Sequence, residues 1–207
     1  MTETANKHSV LGDRLRQERA ERGLSLRELA RRLDVSPSLV SQIETGKIQP
    51  SVRTLYAIVS ELGVSLDDVF GPEEQEKPRV TRGPRVPDGI DTKEDGPVQR
   101  ASSLRMIELE AGVRWERLTT QNVPGVEFLH TVYPPGGESS PPDALVRHTG
   151  REFGIVLSGT LGVTVGFETY ALEAGDSVFF DSTIPHRLHN DGDEVVVAVW
   201  VVLGRNS

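Results

Sequence analysis

The sequence predicts an α plus all-β chain, with an all-helical N-terminal domain followed by a β-barrel, and three observations carry that reading. Apolar residues recur three or four apart as far as Phe70, a proline-rich charged stretch follows, and beyond it the pattern changes to alternation in short runs broken by turns. A length of 207 residues allows two domains, each burying its own core. The expected boundaries are 8–70 for the helical domain, 71–98 for a linker and 99–205 for the barrel.

Leu11 and Leu15 open the helical pattern, and Leu26, Leu29, Ala30 and Leu33 continue it. Leu39, Val40 and Ile43 mark a third helix, and Leu55, Ile58, Val59 and Leu62 a fourth. Gly23, Gly46 and Gly63 end the first, third and fourth helices, before a closing turn at 65–70. Ser25-Leu26-Arg27-Glu28 reads as a capping box for the second helix. Ser36 followed by Pro37 reads as an N-cap with proline at the first helical position. The segment 71–97 carries Pro72, Pro78, Pro84, Pro87 and Pro97 among many charges and too few apolar residues for a core, as expected of a linker. Strands are expected at Val126 to Tyr133, Glu152 to Leu157, Leu161 to Val165, Ser177 to Phe180 and Val195 to Leu203, with turns at Gly159 and Gly175.

Composition narrows the chemistry. The chain has no cysteine, which excludes disulfides, thiolate zinc sites and cysteine nucleophiles. The first ten residues are polar, and no run approaches the roughly 18 apolar residues of a membrane span. The expected location is therefore cytoplasmic, with no membrane partner. Only Lys7, Lys47, Lys77 and Lys93 among the 23 basic residues are lysine, a bias of GC-rich bacterial genomes. The net charge of −8 is unevenly placed: residues 1–70 hold ten basic and ten acidic residues, so the whole excess lies beyond residue 70.

Ala30, Val40 and Ile43 are spaced to pack helices two and three at a steep angle, leaving helix three facing outward. Such a helix can enter the major groove of double-stranded DNA. Ser36, Ser38, Ser41 and Gln42 would then face base edges, with Gln42 able to pair bidentately with adenine. Lys47 and Arg53, with backbone amides around Gly46 and Ser51, would sit against phosphates and fix the register. The alternative is a protein-binding or vestigial helical module. Ser25-Leu-Arg-Glu-Leu-Ala, Ser36-Pro-Ser-Leu-Val-Ser-Gln-Ile-Glu-Thr-Gly-Lys and Pro50-Ser-Val-Arg-Thr-Leu resemble the phage-repressor (Xre-type) helix-turn-helix family. The resemblance implies operator binding, and an ion pair between Arg19 and Glu44 bracing helix three. Asp34 stands where that family usually has glycine, and Asp tolerates the left-handed conformation better than most residues.

In the barrel, alternation along an extended strand would turn Val146, His148, Gly150 and Glu152 to one side, and His186, Leu188 and Asn190 likewise. If the two strands adjoin, His148, Glu152 and His186 form two imidazoles and a carboxylate, a facial set suited to a divalent metal with open positions. His148-Thr-Gly-Arg-Glu152-Phe-Gly-Ile-Val-Leu-Ser-Gly159 and Gly175-Asp-Ser-Val-Phe-Phe-Asp-Ser-Thr-Ile-Pro-His186 resemble the two cupin motifs in order and spacing. Val146 replaces the first of that family's usual histidines, so three of four ligands remain. The metal expected of such a set is Fe, Zn, Ni or Mn; the alternatives are a polar hydrogen-bonded patch, or a pocket that binds an organic effector without metal. His130 and His189 lack the motif spacing and are expected to be ordinary strand residues.

A repressor-like reading head joined to one cupin resembles bacterial regulators whose barrel binds a metabolite and alters DNA affinity. The expected protein is thus a non-enzymatic homodimer, paired through its barrels, that binds an operator and a small-molecule effector. The rival of a different class is a non-haem iron enzyme resembling hydroxypropylphosphonate epoxidase, which shares the two-domain layout.

Overall fold

The computed structural model describes residues 4–70 and 97–204; nearly all of the expected linker lies outside the described residues. Five helices form the N-terminal domain: α1 (Thr4–Glu21), α2 (Leu26–Arg32), α3 (Pro37–Glu44), α4 (Val52–Leu62) and the short α5 (Leu66–Val69). Local chemistry sets their ends. Ser25, Ser36 and Ser51 each accept a hydrogen bond from the backbone N–H three residues on, and Gly63 closes α4 at φ 64°. The capping box at Ser25 is only half made, because the Glu28 carboxylate turns to Arg31 and Arg32. Asp34 adopts φ 54°, so the turn between α2 and α3 keeps its left-handed residue without glycine.

Leu15, Leu29, Ala30, Val40, Ile43, Leu55 and Val59 are all buried and form the helical core. Gly12 lets α1 approach the end of α3: a Cβ there would lie 2.4 Å from the Ile43 carbonyl oxygen, too close to be tolerated. Among the described residues no helix is long and apolar enough to cross a membrane.

The C-terminal domain has nine strands: β1 (Arg105–Glu108), β2 (Arg114–Arg117), β3 (Val126–Tyr133), β4 (Arg151–Ser158), β5 (Leu161–Val165), β6 (Glu168–Leu172), β7 (Ser177–Asp181), β8 (His186–His189) and β9 (Val196–Leu203). One sheet runs β1-β2-β3-β9-β4-β7 and the other β6-β5-β8. Leu129, Val156, Leu161, Val163, Ala198, Trp200 and Val202 fill the space between them. Gly154 lies opposite Trp200 in the β4–β9 register, and a Cβ there would meet the indole at 2.0 Å. The glycine is what lets this tryptophan lie across the strand.

Two sequence expectations need correction. Residues 146–150 are not a continuous strand: Val146 makes an isolated bridge to His186, and Gly150 at φ 113° breaks the extension before β4. The strands bearing Glu152 and His186 also do not adjoin, since β4 pairs with β7 and β9 while β8 pairs with β5 in the other sheet. The three side chains meet across the barrel interior instead.

The two domains touch directly. The Arg53 amide donates to the Ser139 carbonyl at 3.2 Å and the Glu110 amide to the Pro50 carbonyl at 2.9 Å. The Asn122 amide group donates to Ser65 Oγ and Asp68 Oδ1. The Tyr56 hydroxyl donates to Glu127 Oε2 at 2.9 Å within a buried boundary.

Candidate functional site

On the helical domain, α3 is held by the expected ion pair. Arg19 Nε and Nη2 meet Glu44 Oε1 and Oε2 at 2.6 and 2.8 Å, a bidentate fork, while Nη1 donates to the Leu24 carbonyl. The carboxylate hydrogen bond raises the Arg19 pKa against the opposing effect of burial. With its back fixed, α3 turns Ser38 and Gln42 outward, and the Gln42 amide donates to Ser38 Oγ at 3.2 Å. Ser36 is exposed, but its hydroxyl serves the cap. Ser41 is half-buried, and its carbonyl accepts from the Thr45 hydroxyl. Lys47 is exposed just past the helix end. Ser51 is half-buried and caps α4, while Arg53 has an exposed side chain and an amide already taken by Ser139.

In the barrel, His148, Glu152 and His186 converge. Each imidazole Nε2 lies 3.0 Å from Glu152 Oε1, and the three potential ligand atoms all lie within 4.8 Å of one another. Both imidazoles are oriented by the backbone: His186 Nδ1 bonds the Ile184 carbonyl at 2.8 Å and His148 Nδ1 the Thr149 carbonyl at 2.9 Å. A carbonyl can only accept, so Nδ1 carries the proton and, in the neutral ring, Nε2 presents a lone pair toward Glu152. Two lone pairs around a carboxylate require a proton or a cation between them. His148 Nε2 and Glu152 Oε1 are buried and close yet misaligned for a hydrogen bond. The donor set therefore fits a divalent metal, with Val146 leaving the fourth protein position apolar.

Burial pushes Glu152 toward the neutral acid, but the adjacent His148 and His186 outweigh it and hold its pKa below the usual carboxylate range. Burial lowers the His186 pKa, and the Glu152 carboxylate more than reverses this, raising it. Trp200 Nε1 donates to Glu152 Oε2 at 2.6 Å, leaving Oε1 for the histidines.

Glu152 and His186 of the triad line a pocket partly open to solvent, together with Trp115, Leu129, Tyr133, Val146, Leu188 and Trp200 and with Val52 and Tyr56 of α4. The Tyr56 ring lies 4.7 Å from that of His148 and 5.5 Å from that of Trp115. Trp115 Nε1 neighbours the Tyr133 oxygen but misses hydrogen-bond geometry, so both buried polar atoms lack an aligned partner. His130 and His189 stand apart from the triad, beside Glu116 and Asp191 respectively.

The sequence reading found the triad and missed Trp200, Tyr56, Trp115 and Tyr133. Gly154, a glycine inside a strand of the first motif and able to face a tryptophan, was the available signal for Trp200. Apolar residues on two faces of α4 were the signal for Tyr56.

Comparison with known proteins gives matches to both halves. The helix-turn-helix family model (HTH_3) matches residues 15–69, and the cupin domain model (Cupin_2) residues 129–202. The HTH-type transcriptional regulator PuuR of Escherichia coli is 27% identical over 180 residues, covering 86% of each chain. An HTH-type transcriptional regulator of Methanocaldococcus jannaschii is 34% identical over 64 residues, 31% of this chain and 97% of its own length. The crystal structure of an HTH_3 family transcriptional regulator from Vibrio cholerae superposes with a TM-score of 0.64 at 22% identity, over 96% of this chain and 97% of that one. The two-domain fold is thus shared along nearly the whole length.

Proposed function

We propose, for a chain that belongs to the helix-turn-helix family and carries a C-terminal cupin domain, that this transcriptional regulator reads operator DNA with α3 and senses a small-molecule effector in its barrel. The observation that carries the reading is the exposed polar face of α3, braced from behind by the Arg19–Glu44 fork. Gln42 and Ser38 are the base readers, with Ser36 and Ser41 beside them. Lys47, Arg53 and the backbone near Ser51 position the domain on phosphates.

The test is selection of bound sequences from random DNA, followed by two substitutions. Gln42→Ala is expected to relax sequence preference by about 1 to 3 kcal/mol, whereas Lys47→Ala weakens binding to all sequences and lowers the salt slope by about one. Equal losses on selected and random DNA for Gln42→Ala would remove it from the base-reading set.

His148, Glu152 and His186 hold the effector, with a divalent metal as the third partner. When bound, the metal supplies a Lewis-acidic anchor for an oxygen or nitrogen atom of the effector. Trp200 holds the second carboxylate oxygen, and the backbone carbonyls hold the imidazoles. The pocket's apolar walls and the buried Trp115 N–H and Tyr133 O–H favour a small, largely apolar molecule with a hydrogen-bond-accepting oxygen.

The active form is a homodimer. The outer face of the larger sheet exposes Phe128, Phe153, Ile155, Leu157 and Phe179, the last at 59%. These are neighbours, with Phe153 opposite both Phe179 and Val201, and Val201 opposite Phe128. A contiguous apolar sheet face calls for a partner, and a second copy also supplies the two-fold symmetry of an operator with half-sites about 34 Å or a multiple apart. Phe153→Asp combined with Phe179→Asp is expected to turn the full chain from dimer to monomer in sedimentation at micromolar concentration. A wild-type chain that sediments as a monomer at all concentrations counts against the assignment.

A further inference from the structure

The sensor pocket is not a property of the barrel alone. Val52 and Tyr56 belong to α4, the helix that follows the DNA-reading helix, yet both line the same cavity as Glu152 and His186. Tyr56 is buried and held on three sides: its hydroxyl donates to Glu127 of β3, and its ring packs on His148 and on Trp115 of β2. Around it the Arg53 amide is bonded to the Ser139 carbonyl, and Ser139 lines the same cavity. The Pro50 carbonyl just before α4 is bonded to Glu110. An occupant of this cavity beside Glu152 lies against the Tyr56 ring, which itself packs on His148, and packed interfaces switch between discrete arrangements rather than deforming continuously.

We propose that the effector site is composite, closed on one side by Val52 and Tyr56 of the DNA-reading domain, so that filling the pocket pushes α4 off the barrel and resets DNA affinity directly. The proposal rests on the reading of the barrel as sensor. It adds that the signal crosses the α4 contact instead of depending on residues 71–96. A ligand shifts affinity only through contacts that differ between the two states, and here those contacts are the ones Tyr56 makes or loses.

The absence of cysteine permits a test without the natural effector. Val146→Cys in the full chain places the only thiol in the pocket wall, and Leu129→Cys is a second variant that reaches the same cavity from β3. Benzyl methanethiosulfonate converts that thiol to a mixed disulfide with release of methanesulfinate, filling the pocket with a benzyl group. The unmodified cysteine variant is the reference for each modified form. Two quantities are read: hydrogen exchange at the Arg53 and Glu110 amides, which bond across the boundary, and affinity for a DNA sequence selected by the unmodified full chain.

Modification is expected to speed exchange at both amides, and to change DNA affinity, by about tenfold or more. Adding Tyr56→Ala, which makes room for the benzyl group, should shrink both responses severalfold. Unchanged exchange at Arg53 and Glu110 with the pocket filled overturns the proposal; if DNA affinity nevertheless changes, the sensor reading survives and the signal travels by another route. Faster exchange with unaltered DNA affinity overturns the coupling. An unmodified chain that selects no sequence overturns the DNA-binding reading itself.

Discussion

Replacing Glu44 by alanine is expected to destabilise the helical domain by about 3 to 5 kcal/mol, because it leaves the Arg19 guanidinium shielded and without its carboxylate. The side chains of Arg19 and Glu44 are only 12% and 5% exposed, so water cannot replace the lost partner well. Arg19→Ala should cost a similar amount, since Glu44 is then left charged against the end of α3. The double replacement should cost less than the sum, the signature of a direct interaction. Urea unfolding of the full chain, followed by helical circular dichroism, measures all three. A Glu44→Ala protein that unfolds like the parent would reduce the fork to a surface contact of the kind that contributes little.

The second large effect is expected at the triad. His148→Ala with His186→Ala should lower affinity for zinc or iron(II) by more than about a hundredfold, the upper range seen when only outer partners of metal ligands are removed. The same variant should bind selected DNA nearly as the parent does without metal, and its operator titrations should no longer respond to metal or effector. The enzyme reading makes a different forecast: the parent would consume oxygen in an iron-dependent reaction that the double variant loses. Calorimetry with and without chelator, paired with DNA titrations and an oxygen electrode, separates the two. An undiminished metal response in the double variant would move the site away from His148, Glu152 and His186.

What the sequence made legible was what depends on near neighbours. Ser25, Ser36, Gly63 and Asp34 sit where caps and turns demand those residue types, and the structure uses each of them there. The strands β3, β5 and β9 stand out because they are long or apolar enough to alternate visibly. Strands β1 and β2, with Arg105 to Glu108 and Arg114 to Arg117, are short and charged, and β6 is mostly exposed, so none carries a clear period. The triad was legible as a motif, although its members meet across two sheets rather than on adjoining strands.

Tyr56 was hidden for a different reason. Its partners are 59 to 92 positions away, at Trp115, Glu127 and His148, and only the docking of two domains reveals them. Leu55, Ile58 and Leu62 already account for a buried face of α4, so the additional apolar pair Val52 and Tyr56 was easily absorbed into the helical core. An apolar stripe wider than one core needs is the trace that an interface leaves in a sequence.

The chain contains two tryptophans, and both line the same cavity: Trp115 beside Tyr56 and Tyr133, and Trp200 bonded to Glu152. The DNA-reading domain has none. Indole emission from the native protein is therefore an optical gauge of the pocket alone, undiluted by signal from the helices. A paramagnetic ion at the triad would quench Trp200 at close range, and withdrawal of Tyr56 would admit water to Trp115 and shift its emission to the red. The molecule thus comes with its own label, on which binding kinetics can be followed at low concentration without attaching a dye.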